Sequence, residues 1–98
     1  MKKIGIFGGG VWGSAIAKLL SDNDVTIYAR DEQIISSINE HKINPKLKYV
    51  IFNKNVKATS DISILKKSDY LFIALPVQNI REVINLYGQC NRGQHVII

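Results

Sequence analysis

"IGIFGGGVWGSAIAKLL", residues 4–20, sets three consecutive glycines, then Val11, Trp12 and a fourth glycine, between a β-rich run and a segment of helical periodicity. The run ahead of the glycines, "KKIGIF" at residues 2–7, reads as a strand. Beyond them Ala15, Ile16, Leu19 and Leu20 recur at helical spacing. Gly8, Gly10 and Gly13 occupy the three named places of G-x-G-x-x-G. Gly8 permits the sharp turn out of the strand, and Gly10 carries no Cβ to obstruct a pyrophosphate. Gly13 lets the helix pack closely on the sheet, with Ser14, Ala15 and Ala17 keeping that surface small. Backbone N–H groups at the helix start then face the phosphates, and the helix dipole adds attraction. The alternative is a tight strand-to-helix connection that holds no ligand, because glycine-rich turns are common.

The rest of the chain gives that turn its context. "VTIYAR", residues 25–30, reads as a second strand after the turn cluster "SDND". Asp31 is suited to cap the helix that follows, with Glu32 in its first turn and Ile34, Ile35 and Ile38 along one side. Pro45 and the asparagines around it break any helix over residues 41–61. "KYVIF" (48–52) and "VKAT" (56–59) both qualify there as short strands. Ser60 is placed to cap a short helix through Ile62, Ile64 and Leu65, closed by Lys66 and Lys67. "DYLFIALP", residues 69–76, is the continuous apolar run of a strand buried on both faces. Ile80, Val83, Ile84 and Tyr87 mark a helix that Gly88 ends, and "HVII" opens another buried strand. Strands alternating with helices of about ten residues predict a three-layer α/β fold. Its sheet would be a doubly wound parallel one, reaching a fifth or sixth strand.

Composition narrows the function. With 98 residues, one core and one domain over 1–98 is the expectation. The 46% hydrophobic and 21% charged residues suit a soluble globular protein. No apolar run reaches the ~18 residues of a bilayer span, and no signal-peptide pattern opens the chain, so no membrane insertion is expected. A single cysteine, Cys90, cannot make an internal disulfide and points to a reducing, cytoplasmic setting. The net charge of +5 comes from scattered lysines (Lys42, Lys46, Lys48, Lys54, Lys57) rather than a dense block. That argues against nucleic acid and for a small anionic ligand or no specific role. His41 and His95 lack partners at metal-ligand spacing, and Cys90 has no evident activating neighbour.

In a doubly wound sheet, ligands lie outside the carboxyl ends of the strands, where the strand order reverses. The glycine turn is one such end, and the tip of the second strand is another. An acidic residue at that tip bonds the ribose 2′-hydroxyl of NAD, whereas an arginine accommodates the 2′-phosphate of NADP. Arg30 holds the position, with Asp31 immediately after it, so a shift of one residue reverses the preference. The bland alternative makes Arg30 a solvated loop residue and Asp31 only a cap. A third end is "ALPVQN", where Pro76 marks the exit from the ladder. Gln78 and Asn79 there either meet the ligand or serve as ordinary first-turn polar residues.

With these residues in place, the chain resembles the N-terminal, Rossmann-type domain of NAD(P)-dependent glycerol-3-phosphate dehydrogenases. That family's pattern is G-x-G-x-W-G-[ST]-A-[LI]-A, and Gly8, Gly10, Trp12, Gly13, Ser14, Ala15, Ile16 and Ala17 all fit it. The tryptophan between the glycines is more specific than the glycines. "INEHKIN" is similar to a family segment around an asparagine that precedes a Tyr-Leu-Pro stretch. Asp69, Pro76, Gln78, Arg81, Glu82 and Val83 stand in register with a further family block. The resemblance implies reversible hydride transfer between NAD(P)H and dihydroxyacetone phosphate, giving sn-glycerol 3-phosphate for phospholipid synthesis. It also implies cofactor contacts at Val11, Trp12 and Arg30 beside the glycines.

Three local departures from the family are visible. Val11 stands where bacterial members often carry serine, "SDNDV" is a short link without the usual glycine, and the Tyr-Leu-Pro stretch is replaced by "LKYVIF". The family's lysine-glycine motif and helical catalytic domain have no counterpart in residues 1–98. No catalytic residue is therefore assigned, and a truncated dehydrogenase, inactive alone, is expected. The competing expectation is a non-catalytic nucleotide-binding or self-associating relic. Either version is expected to form homo-oligomers through apolar surfaces left uncovered.

Overall fold

The alternation of Ile4 and Ile6 with Gly5 and Phe7 lets one short strand serve two cores. In the computed structural model, which describes residues 1–74, Arg81, Asn85 and the backbone of 95–97, this strand is β1 (Lys3–Phe7). It lies at the centre of a five-stranded parallel sheet. The others are β2 (Asp24–Tyr28), β3 (Val56–Thr59), β4 (Tyr70–Ile73) and β5 (His95–Ile97), in the order β3-β2-β1-β4-β5. Ile6 pairs with Ile27 on one side and Phe72 on the other, so the register carries the apolar alternation across three strands. The chain runs outward from β1 to β3 and then crosses to the opposite side of β1 for β4. That reversal is the topological switch of a doubly wound fold.

Helices α1 (Val11–Leu19) and α2 (Glu32–His41) cover one face. Ile4, Ile6, Ala17, Val25, Ile27, Ile34, Ile38, Phe52 and Val56 form the core between them and the sheet. Each fully buried aliphatic side chain in it contributes about 1.5–3 kcal/mol of transfer free energy. The other face holds Phe7, Leu71 and Ile73 under Leu65 of a 3-10 helix, Ile62–Lys67. Phe7 also meets Tyr28 edge-on, with ring centroids 5.9 Å apart. This layer presses so closely that a Cβ on Gly5 would stand 2.7 Å from Ser68 Oγ and 2.9 Å from Leu65 Cδ2.

The fold class agrees with the reading of the sequence, and several details differ from it. Of the two candidate strands in the middle of the chain, 56–59 enters the sheet and 48–52 does not. In the latter only Phe52 is buried, and its N–H donates to the Lys42 carbonyl instead of a strand neighbour. The 3-10 helix is capped by Asp61 rather than Ser60, its carboxylate accepting from the N–H and hydroxyl of Ser63. Those two bonds, the hydroxyl foremost, hold the exposed Asp61 carboxyl below its ordinary pKa. Asp31 does cap α2, accepting from Gln33 N at 2.9 Å. The buried residues of α1 are Gly13, Ser14 and Ala17, with Ile16 packed half-buried against the core, while Ala15 is exposed and Leu19 is 82% exposed. At Gly13 the turn's own backbone leaves no room for a side chain. The helix expected around Ile80 to Tyr87 lies outside the described residues apart from Arg81 and Asn85, both helical.

Candidate functional site

The turn between β1 and α1 stands at the carboxyl end of the central strand, beside the switch point. Each glycine in it answers a different demand. Gly8 has φ of 128°, a region that side-chain-bearing residues rarely enter, and its N–H donates to the Tyr28 carbonyl at 3.1 Å. Gly9 lies against the tip of the second strand, where a Cβ would come within 2.9 Å of the Ala29 Cβ. A Cβ on Gly13 would stand 2.0 Å from the Gly8 carbonyl oxygen, with Ile6 Cγ2 behind it at 3.4 Å. The expected close approach at Gly13 is therefore chiefly to the turn's own backbone and only secondarily to the sheet.

Gly10 differs from the rest. Its backbone (φ −89°, ψ −164°) is open to any residue, and a Cβ there would meet no atom within 4 Å. Nothing in the described chain requires a glycine at this position. Gly10 is the N-cap of α1 but supplies no side-chain cap. The first intrahelical bond in the turn is Ser14 N to Gly10 O at 3.0 Å. The N–H groups of Gly10, Val11, Trp12 and Gly13 thus have no acceptor among the described residues. Lys18 is the nearest charged side chain on α1, and the first turn holds no carboxylate. A helix start of this kind, with positive dipole and open approach at Gly10, suits a diphosphate.

Val11 and Trp12 project from the first turn, 49% and 78% exposed, so the indole does not fill the hollow over the glycines. Arg30 is exposed two residues beyond the end of β2, directly after the buried Ala29 that touches Gly9. The structure thereby brings Gly8, Gly10, Val11, Trp12, Gly13 and Arg30 to one end of the sheet. Asp31 is engaged as the α2 cap. Pro76, Gln78 and Asn79 lie outside the described residues, as does Cys90.

One residue at this turn was not singled out from the sequence. Asn44 is fully buried, and its amide donates to the Gly9 carbonyl at 2.7 Å and to Ser14 Oγ at 2.6 Å. Its Oδ1 accepts from Lys46 N at 2.9 Å. The loop that carries it is fixed on both sides. Ser37 Oγ donates to the Ile43 carbonyl at 2.6 Å, and the Lys42 ammonium to the Val56 carbonyl at 2.6 Å. Lys42 itself turns the chain with φ of 59°. Truncating such a side chain leaves buried partners unsatisfied, at about 1–3 kcal/mol each. The signal available in the sequence was Asn44-Pro45, a polar residue held extended by the proline after it, within the segment likened to the family.

Among the described residues no helix is long and apolar enough to cross a membrane. The chain is similar to glycerol-3-phosphate dehydrogenase (NAD(P)+) of Neorickettsia sennetsu, 45% identical over 101 aligned positions that cover 90% of this chain and 30% of that protein. Among solved structures it superposes on a Plasmodium falciparum glycerol-3-phosphate dehydrogenase with a TM-score of 0.81 at 30% identity, over 97% of this chain and 30% of that one. The glycerol-3-phosphate dehydrogenase of Coxiella burnetii shares the fold at a TM-score of 0.83 and 21% identity, over 97% and 31% of the two chains. The 98 residues thus span about a third of the length of these proteins. Over residues 3–98 the sequence matches the family described as NAD-dependent glycerol-3-phosphate dehydrogenase N-terminus, and the chain belongs to that family.

Proposed function

We propose that this chain is the cofactor-binding part of an NAD(P)-dependent glycerol-3-phosphate dehydrogenase. The complete enzyme would interconvert sn-glycerol 3-phosphate and dihydroxyacetone phosphate in the cytoplasm, in glycerophospholipid synthesis. Residues 1–98 alone would hold the cofactor without turnover. The observation that carries this reading is Gly10, a glycine with no conformational or packing need for one, set among unpaired helix-start amides. These amides and the open space at Gly10 fit a dinucleotide's pyrophosphate. Gly8 and Gly13 keep the turn in shape, Val11 and Trp12 flank it, and Arg30 meets the adenosine ribose. Pro76 and Asn79, outside the described residues, would be further cofactor contacts. When bound, the nicotinamide supplies the hydride acceptor or donor. The groups that orient and polarise the substrate carbonyl would come from the part of the enzyme that these residues do not include.

Arg30 sets the expected preference, because a guanidinium pairs with a 2′-phosphate through charge-assisted hydrogen bonds. Trp12 is the sole tryptophan and stands in the site, so its fluorescence reports binding directly. Titration is expected to saturate with both NADPH and NADH, NADPH being the tighter. Arg30→Ala should weaken NADPH by about tenfold, or ~1.4 kcal/mol, with NADH little changed. Binding of neither cofactor at millimolar concentration would remove the reading, and tighter NADH than NADPH in the unsubstituted chain would reject the role of Arg30.

The reading extends to self-association. Leu19 at 82%, Tyr49 at 98% and Ile51 at 63% exposure present apolar area that a second copy would cover. Light scattering at micromolar concentration should give at least the mass of a dimer, and a monomeric mass would count against it.

A further inference from the structure

We infer that Asn44 is a positioning residue for the diphosphate, acting through the Gly9–Gly10 peptide; this rests on the cofactor reading above. The Asn44 amide pulls the Gly9 carbonyl inward, at 2.7 Å. The peptide that follows is trans, like every described peptide bond, so the Gly10 N–H of the same rigid plane is turned the opposite way. This N–H has no acceptor among the described residues, and the space beside it is open, since a Cβ on Gly10 would meet nothing within 4 Å. A hydrogen bond accepted at one end of a peptide also polarises the N–H at the other and makes it a stronger donor to an anion.

The second amide hydrogen of Asn44 goes to Ser14 Oγ, one turn into α1, and so ties the helix start to the glycine turn. One buried side chain therefore fixes both halves of the phosphate cradle. It does so from a loop that contributes nothing to the sheet and that hydrogen bonds from Ser37 and Lys42 hold in place. Asn44 itself is fully buried and need not touch the ligand.

A role confined to folding would weaken every ligand alike, whereas positioning of Gly10 N–H affects only ligands with a diphosphate. The test compares NADPH with 2′-AMP, which offers the adenosine and 2′-phosphate to Arg30 but no diphosphate. Asn44→Ala, with folding checked by circular dichroism, should bind NADPH about tenfold more weakly and 2′-AMP within twofold of the unsubstituted chain. Ser14→Ala removes one of the two amide contacts and leaves the bond to Gly9, so its loss of NADPH affinity should be smaller than that of Asn44→Ala. Equal loss for both ligands in Asn44→Ala, or no loss for either, overturns the inference while leaving cofactor binding by the parent chain intact.

The unsubstituted chain offers a second arm that does not depend on the variant folding. Titration with inorganic pyrophosphate, followed by amide NMR, should move the Gly10 resonance more than those of α2. Cofactor binding without any pyrophosphate-induced shift at Gly10 likewise overturns it. Failure of the parent chain to bind NADPH at all is a separate result, and it removes the reading beneath.

Discussion

Gly13→Ala should cost the fold about 3 kcal/mol or more, against the sign that helix propensity alone would give. In an exposed helix interior, glycine to alanine stabilises by roughly 1 kcal/mol, because alanine loses less backbone freedom on folding. At position 13 the added methyl would stand 2.0 Å from the Gly8 carbonyl oxygen, a distance no real contact tolerates. The obstructing atom is backbone, and Gly8 is held by its own N–H bond to Tyr28 and by a φ of 128°. No side-chain rotation relieves the clash, so either the turn opens or α1 lifts from the sheet. A lift would expose Ala17 and part of the Ile4, Ile6 and Ile27 core. Gly5→Ala is the instructive comparison. Its methyl would meet Ser68, Leu71 and Leu65 at 2.7–2.9 Å, but all three obstructing atoms belong to side chains rather than backbone. Urea unfolding followed by circular dichroism gives the comparison directly. A Gly13→Ala midpoint equal to or above that of the parent would show that the turn does not constrain the helix as argued. With total stabilities of ~5–15 kcal/mol for small domains, the expected loss is large enough to leave a visible unfolded fraction near room temperature.

The parts of this structure that the sequence disclosed are those governed by local chemistry. The glycine turn, the Asp31 cap and the continuous apolar run of β4 each depend on residues within one or two turns of each other, and periodicity or spacing exposes them. The parts that stayed hidden depend on partners far along the chain. Asn44 is buried because residues 30 and 35 positions earlier, Ser14 and Gly9, accept from its amide. An asparagine beside a proline looks like surface loop until those acceptors are known. Helical spacing groups Leu19 with Ile16 and Leu20, yet Leu19 is 82% exposed while Ile16 and Leu20 pack half-buried against the core. Between "KYVIF" and "VKAT" the more apolar segment looked at least as good a strand. The sheet took the other, where Asn39 bonds both the N–H and the carbonyl of Ala58 and fastens β3 under α2. The need for Gly5 is hidden in the sequence for the same reason, since it arises from Ser68, Leu71 and Leu65, more than fifty residues away. Local rules thus expose the glycine turn and the strand tip beside it. Long-range contacts decide how the site is held.

Gly10→Ala is the substitution that separates holding a shape from holding a ligand. Its φ of −89° and ψ of −164° are ordinary for alanine, and the new methyl would find no atom within 4 Å. The folded chain should therefore be little changed: restricting the unfolded chain favours alanine by about 0.4–1 kcal/mol, and the poorer N-cap that alanine makes offsets a similar amount. Cofactor binding should respond strongly. If the pyrophosphate approaches the helix-start amides over Gly10, a Cβ there displaces a phosphoryl oxygen from its donors. The bonds lost are charge-assisted, made to N–H groups with no other acceptor among the described residues. We expect NADPH affinity to fall about a hundredfold, or ~2.7 kcal/mol, read from Trp12 fluorescence alongside a thermal melt of the same sample. A chain of unchanged stability that no longer binds cofactor is the signature of a glycine kept for its ligand. Gly13→Ala should show the reverse pattern, with stability lost first and binding only as a consequence. Full NADPH affinity in Gly10→Ala, in a chain whose parent binds, would mean that the cofactor takes another route across the sheet edge. The open space above this glycine would then have no part in recognition.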